Sequence, residues 1–107
     1  MDPRLSLRFL GTFHVTLDDR PLTHFRSANV QGLLVYLALQ ASRPVPRDVL
    51  AALFWPDDRE RAARTNLRQS LYQLRKVLQE GDRERPFLLA SRETIQFDPH
   101  SRYALDV

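Results

Sequence analysis

Arg59-Glu60-Arg61-Ala62-Ala63-Arg64-Thr65-Asn66-Leu67-Arg68-Gln69-Ser70-Leu71-Tyr72-Gln73-Leu74-Arg75-Lys76-Val77-Leu78 carries two patterns at once. Leu67, Leu71, Leu74 and Leu78 recur at i, i+4, i+7 and i+11 with Val77 beside them, a narrow apolar seam along one side of an α-helix. The spacing predicts a helix over about 59–79, stopped by Gly81. At ~1.5 Å per residue it is a rod of roughly 30 Å. The side away from the seam carries Arg61, Arg64, Thr65, Arg68, Gln69, Tyr72, Gln73, Arg75 and Lys76. A solvated helix face ordinarily interleaves Glu with Lys or Arg for i,i+4 support. Here no Asp or Glu stands between Arg61 and Gln79. That imbalance, more than the arginines themselves, marks a face that meets a polyanion.

The charge of the whole chain points to the same segment. Its net +3 is smaller than the excess within 59–78, where Arg59, Arg61, Arg64, Arg68, Arg75 and Lys76 face Glu60 alone, so the remainder is net acidic. Every basic residue except Lys76 is arginine, the side chain suited to bidentate contacts with phosphate and guanine.

Upstream, Leu5, Leu7 and Phe9 alternate with Ser6 and Arg8, and after Gly11 the alternation resumes at Phe13, Val15 and Leu17. This is the period of a half-buried strand. Asp18-Asp19-Arg20-Pro21 reads as a turn, Pro21 being barred from a central ladder position. A short third strand over Leu22–Phe25 would complete an antiparallel sheet across about 5–25. From Ser27, a candidate N-cap, the period becomes helical: Val30, Leu33, Leu34, Leu37 and Ala38 predict a helix over 28–41 that stops ahead of Pro44 and Pro46. A second, shorter helix over 46–55 takes Pro46 in its first turn and Asp48 near its positive end, with Val49, Leu50, Leu53 and Phe54 as its buried stripe. Pro56 closes it. Downstream of Gly81–Pro86, Phe87–Ala90 and Thr94–Phe97 are short apolar runs separated by Ser91-Arg92-Glu93, the pattern of a hairpin over 87–97. Tyr103–Val107 alternates again.

The chain is long enough for one domain, and a composition of 43% apolar and 27% charged residues is that of an ordinary globular protein. No apolar run approaches the roughly eighteen residues of a membrane span, and Met1-Asp2-Pro3-Arg4 does not open a signal peptide. The absence of cysteine removes disulfides, thiolate metal sites and thiol catalysis together. His14, His24 and His100 are scattered, and none has ligand spacing to another or to a carboxylate pair. The three glycines form no phosphate-binding loop. Asp57, Asp58 and Glu60 suit a helix start, with Asp58 as a cap and Glu60 in the first turn. The expectation is a non-enzymatic protein with no metal and no cofactor.

An α-helix fits the major groove of B-DNA, where Arg reads guanine bidentately and Gln can read adenine. A short helix followed by a longer basic one is the logic of the helix-turn-helix, and a hairpin directly afterwards is its winged variant. Arg92, at the hairpin tip, is then placed for the adjacent minor groove, whose negative potential attracts arginine. The fold class expected is α+β.

Three blocks carry a family resemblance. Leu33-Leu34-Val35-Tyr36-Leu37-Ala38-Leu39, Arg43-Pro44-Val45-Pro46-Arg47 and Leu50-Ala51-Ala52-Leu53-Phe54-Trp55-Pro56-Asp57 resemble the N-terminal region of bacterial SARP-type transcriptional activators, whose longer chains continue into a helical activation domain. Ala63–Leu78 resembles the arginine- and leucine-rich block that follows in that family. The likeness runs from about Leu5 to Val107. It implies a winged helix-turn-helix of the OmpR/PhoB type, and a chain that is a fragment of a longer protein. By position it implies base contacts from Arg68, Gln69 and Gln73, and backbone contacts near Thr65, Tyr72 and Arg75. Arg64 and Lys76 on the same face are further backbone candidates, with Arg92 at the wing. The turn Pro56–Glu60 corresponds to a loop that touches RNA polymerase, which makes Asp57, Asp58 and Glu60 polymerase candidates. Two departures stand out: Asn29 and Gln31 occupy positions where relatives commonly carry Lys or Arg, and Phe97-Asp98-Pro99 replaces the usual Gly-Tyr end of the wing.

The implied function is sequence-specific binding of double-stranded DNA within a bacterial transcriptional activator. It would act in the cytoplasm at the nucleoid, without a membrane. The domain would be monomeric in solution, or paired head to tail on direct repeats. The alternative is a winged-helix interaction module that turns its basic face to an acidic protein partner.

Overall fold

The computed structural model describes residues 4–8, 14–22, 25, 27–41, 43–78, 86–101 and 103–106. Strands β1 (Leu5–Arg8) and β2 (His14–Leu17) pair antiparallel, with Leu5 opposite Leu17 and Leu7 opposite Val15. All four of these side chains are buried, while Arg8 and His14 are exposed, so the alternation of the sequence is the alternation of core and solvent. Phe9, Gly11 and Phe13 lie outside the described residues, as does His24.

The turn that follows is tighter than the sequence suggests. Asp18 and Asp19 both take positive φ, 53° and 65°, which is the two-residue loop whose twist matches that of the flanking strands. Asp tolerates this region, and the Asp18 carboxylate is held by the backbone N–H of Arg4 at 2.7 Å. The third strand, β3, is therefore Arg20–Pro21; of the strand expected over Leu22–Phe25, Thr23 and His24 lie outside the described residues. It is an edge strand, where Pro21 forfeits no ladder bond that the sheet needs.

Helix α1 (Ala28–Leu39) buries Val30, Leu33, Leu34, Leu37 and Ala38. Ser27 caps it, its hydroxyl oxygen accepting from the Val30 N–H at 3.2 Å. Ser27→Ala should lower stability by about 1 kcal/mol in chemical denaturation. An unchanged midpoint would show that the cap contributes nothing.

Helix α2 (Arg47–Phe54) and helix α3 (Glu60–Val77) pack against each other, and α3 also packs on α1. On α3 the seam is Ala63, Leu67, Leu71 and Leu74, continued by Leu78 just past the helix, and all five are buried. The stripe of α2 differs from the one read in the sequence. Leu50 and Ala51 are buried and Phe54 is half-buried, whereas Val49 and Leu53 are 47% and 52% exposed. Small side chains decide this: Ala51 and Ala63 line the junction of the two helices, so α2 turns its alanine side, and not its bulkier one, toward α3. Asp58 does not cap α3. The N-cap is Arg59, with no side-chain bond to the helix, and the Asp58 carboxylate accepts from Asn66 Nδ2 at 2.8 Å.

Four further strands tie the elements together. β5 (Leu88–Ala90) and β6 (Thr94–Phe97) form an antiparallel hairpin, and β4 (Val45–Pro46), just before α2, pairs with β6 to complete a three-stranded sheet ordered β4-β6-β5. β7 (Tyr103–Asp106) lies parallel to β1, Leu5 opposite Tyr103, so the N-terminal sheet is mixed, in the order β3-β2-β1-β7. The Phe97 ring stacks on Phe87 at 6.2 Å and meets Tyr103 edge-on at 4.8 Å, which joins the two sheets through one aromatic column. No described helix is long and apolar enough to cross a membrane.

Candidate nucleic-acid interface

With its leucine seam inward, α3 turns Arg61, Arg68, Gln69, Tyr72 and Lys76 to solvent, while Thr65, Gln73 and Arg75 are half-buried at the margins. Arg75 and Lys76 stand in the last turn, where positive charge is favoured by the helix dipole. The Lys76 ammonium sits 5.6 Å from the centre of the Tyr72 ring, and Tyr72 is itself 61% exposed, so the pair forms a cation-presenting knob at that end of the face. The Thr65 hydroxyl donates to the Arg61 carbonyl at 3.1 Å, which fixes its rotamer and leaves its oxygen lone pairs outward.

Arg64 is different from its neighbours. Its guanidinium donates twice to Asp48 Oδ1, at 2.7 and 3.0 Å, and reaches Glu60 Oε1 at 2.9 Å. The face is thus not devoid of carboxylates, because Asp48 arrives from α2. Arg64 links α2 to α3, and as a backbone contact it would first have to leave two acids. All three side chains are more than half exposed, so the ion pairs themselves add little stability.

On one flank of α3 a groove is lined by Ser27 and Val30 of α1 with Arg68, Gln69, Tyr72 and Gln73. On the other flank is a cleft of about 550 Å³ lined by Arg47, Asp48, Arg64, Arg68, Arg92 and Glu93. Arg68 therefore borders both recesses, at the middle of the exposed face. Arg92 occupies the exposed tip of the hairpin, inside a tight turn in which Ser91 Oγ accepts from the backbone N–H groups of Glu93 and Thr94.

Arg47, which the sequence reading passed over, organises this second recess. Its backbone N–H donates to the Glu93 carbonyl at 2.8 Å and its Nε to the Ser91 carbonyl at 3.0 Å. With β4 paired to β6, the hairpin is fastened to the start of α2 at adjoining points. Burial, and then the charges of Arg75 and Arg68, hold the Arg47 guanidinium below its ordinary pKa. The hint in the sequence was Arg47 at the start of a helix whose own N-terminus lacks a side-chain cap.

Asp57, Asp58 and Glu60 are exposed, at the junction of α2 and α3. Asp58 and Glu60 line the recess between α2 and α3, where Asp58 is engaged by Asn66 and Glu60 by Arg64. No protein-family model and no curated protein matches the sequence. Among solved structures the fold is similar to that of EmbR from Mycobacterium tuberculosis, determined in complex with a low-affinity phosphopeptide, with a TM-score of 0.75 and 24% sequence identity. The match covers 95% of this chain and 27% of EmbR, so the chain spans about a quarter of that protein's length and shares the fold of that portion.

Proposed function

We propose that the domain binds double-stranded DNA sequence-specifically as an OmpR/PhoB-type winged helix-turn-helix, as part of a bacterial transcriptional activator, and that it has no catalytic role. The observation that carries the reading is the exposed face of α3, where Arg68, Gln69, Tyr72, Gln73 and Lys76 gather hydrogen-bonding and cationic groups over a fully apolar underside. Such a helix suits the major groove, and the hairpin beside it, tipped by Arg92, suits the neighbouring minor groove. Arg68, Gln69 and Gln73 are assigned to base edges. Arg75, Lys76, Thr65 and Tyr72 are assigned to the backbone, with Arg64 available only once its carboxylates release it. Asp57, Asp58 and Glu60 are proposed to face RNA polymerase, and two copies to sit head to tail on direct repeats.

Selection of bound duplexes from a random pool tests this directly and should return a motif with repeated half-sites. Gln73→Ala should then cost about 1–3 kcal/mol of discrimination at one base position, whereas Arg75→Ala should weaken every sequence alike. Equal losses on all sequences for both variants would remove the assignment of readers and clamps. A second reading, in which the basic face takes an acidic or phosphorylated polypeptide, draws on the phosphopeptide bound to EmbR. Failure to bind any duplex at near-physiological salt would favour it.

A further inference from the structure

The recess between α2, α3 and the hairpin gathers more positive charge than its own carboxylates balance. Arg47, Arg68 and Arg92 converge on it, and Asp48, the nearest acid on α2, is already held by Arg64 at 2.7 Å. Glu93 is the other carboxylate on its wall, and it stands alone against three guanidinium groups. Burial, and then the charges of Arg75 and Arg68, already weigh against the Arg47 cation, and an anion placed between the guanidinium groups of the cleft turns their mutual repulsion into attraction to a common partner. Arg47 cannot swing away to relieve the repulsion, since its Nε and its backbone N–H are both fastened to the hairpin. The cleft also opens at the start of α2, where no side chain caps the backbone amides.

We infer that this cleft is a seat for one phosphate group, gripped by Arg47 from α2, Arg68 from α3 and Arg92 from the hairpin, which moves Arg68 from a base edge, and Arg92 from the minor groove, to a phosphate. A phosphate oxygen fork matches guanidinium geometry, and three arginines from three elements can surround it. The inference rests on the DNA reading only for the source of that phosphate, a backbone phosphodiester beside the groove that α3 enters. Because Arg47 is fastened to the hairpin, filling the seat also fixes the position of Arg92 relative to α3.

Two arms test it. In the first, pyrophosphate is titrated into the full chain at low ionic strength while the arginine Nε–H resonances are followed, with chloride at matched ionic strength as control. Saturable shifts of Arg47, Arg68 and Arg92 are expected with pyrophosphate, weakened in Arg47→Lys and Arg92→Gln. In the second, duplex affinity is measured against salt. Arg47→Gln should lose about tenfold on all sequences and reduce the salt slope by about one. Arg47→Lys should lose less and keep the slope, since it retains the charge but not the fork.

A response to pyrophosphate alone points to a free phosphate ligand, and a duplex response alone to the phosphodiester. Either supports the seat. The seat is overturned if chloride reproduces the shifts and Arg47→Gln, melting like the parent, keeps both affinity and slope. Should Arg47→Gln fail to fold, unchanged pyrophosphate affinity in Arg47→Lys and Arg92→Gln has the same force. If the parent binds no duplex, the DNA reading falls, while the pyrophosphate arm still decides the seat.

Discussion

Phe97→Ala should cost the domain about 3–5 kcal/mol of stability, measured by chemical denaturation at equilibrium. Phe97 is fully buried, and its strand is the middle one of the three-stranded sheet. Its ring lies between Phe87, stacked at 6.2 Å, and Tyr103, edge-on at 4.8 Å. Truncation removes the transfer free energy of the ring and leaves a cavity. The walls of that cavity are pinned, since Leu88 is registered opposite Phe97 and the Asp98 N–H donates to the Phe87 carbonyl at 2.7 Å. A site that cannot collapse pays most of the cavity term. A typical domain holds only about 5–15 kcal/mol in total, so a large share of it would go. Leu89→Ala, on the exposed side of the same hairpin, is the control and should stay within about 0.5 kcal/mol. A loss below about 1 kcal/mol for Phe97→Ala would mean that the aromatic column does not join the two sheets. The functional consequence is local: β6 carries β4 and so the first residue of α2, and loosening it should free Arg92 and Arg47 from their common frame.

What the sequence made legible is what periodicity can encode. The leucines of α3 and the Val30–Ala38 set of α1 announce both the helix and its inward face, because five or so apolar residues at helical spacing leave no other common side. The hairpin was legible from two apolar runs with three polar residues between them. β4 was not, because Val45–Pro46 is too short for any period and contains a proline; only its partners Ile95 and Thr94 make it a strand. β7 alternates visibly, but its parallel pairing with β1 joins opposite ends of the chain, and alternation says nothing about a partner. Val49 and Leu53 were misplaced for a related reason. An eight-residue helix admits several stripes, and the alanines of the α2–α3 junction choose among them.

The same distinction runs through the interface. A helix face lists its own residues, so Arg68, Gln69 and Tyr72 could be read from α3 alone, and all three are exposed. Arg64 could not, because the carboxylate that occupies it belongs to α2. Arg47 could not either, since its importance comes from carbonyls of Ser91 and Glu93 in the hairpin. Side chains whose role depends on a second element are invisible to a reading of one element at a time. These are the positions at which the structure changed the map of the face.

That change alters the salt dependence to be expected. Raising salt from about 50 to 200 mM should weaken binding to the selected duplex by about two to three orders of magnitude, a slope of log affinity on log salt of about −4.5. The figure follows from counting cations able to neutralise a phosphate. The five counted are Arg47, Arg75, Lys76, Arg92 and, where it borders the cleft, Arg68. Arg64 contributes little, because moving it to a phosphate breaks contacts with Asp48 and Glu60 and leaves two carboxylates facing the DNA. Had Arg64 been unengaged, the slope would steepen by about one. Asp48→Asn separates the two cases: it relaxes the hold on Arg64 and removes an acid from the cleft, so it should raise affinity on all sequences and steepen the slope. A titration that is flat in salt would mean that phosphates contribute nothing to binding, and neither the basic face of α3 nor the arginine cleft beside it could then be the surface that meets DNA.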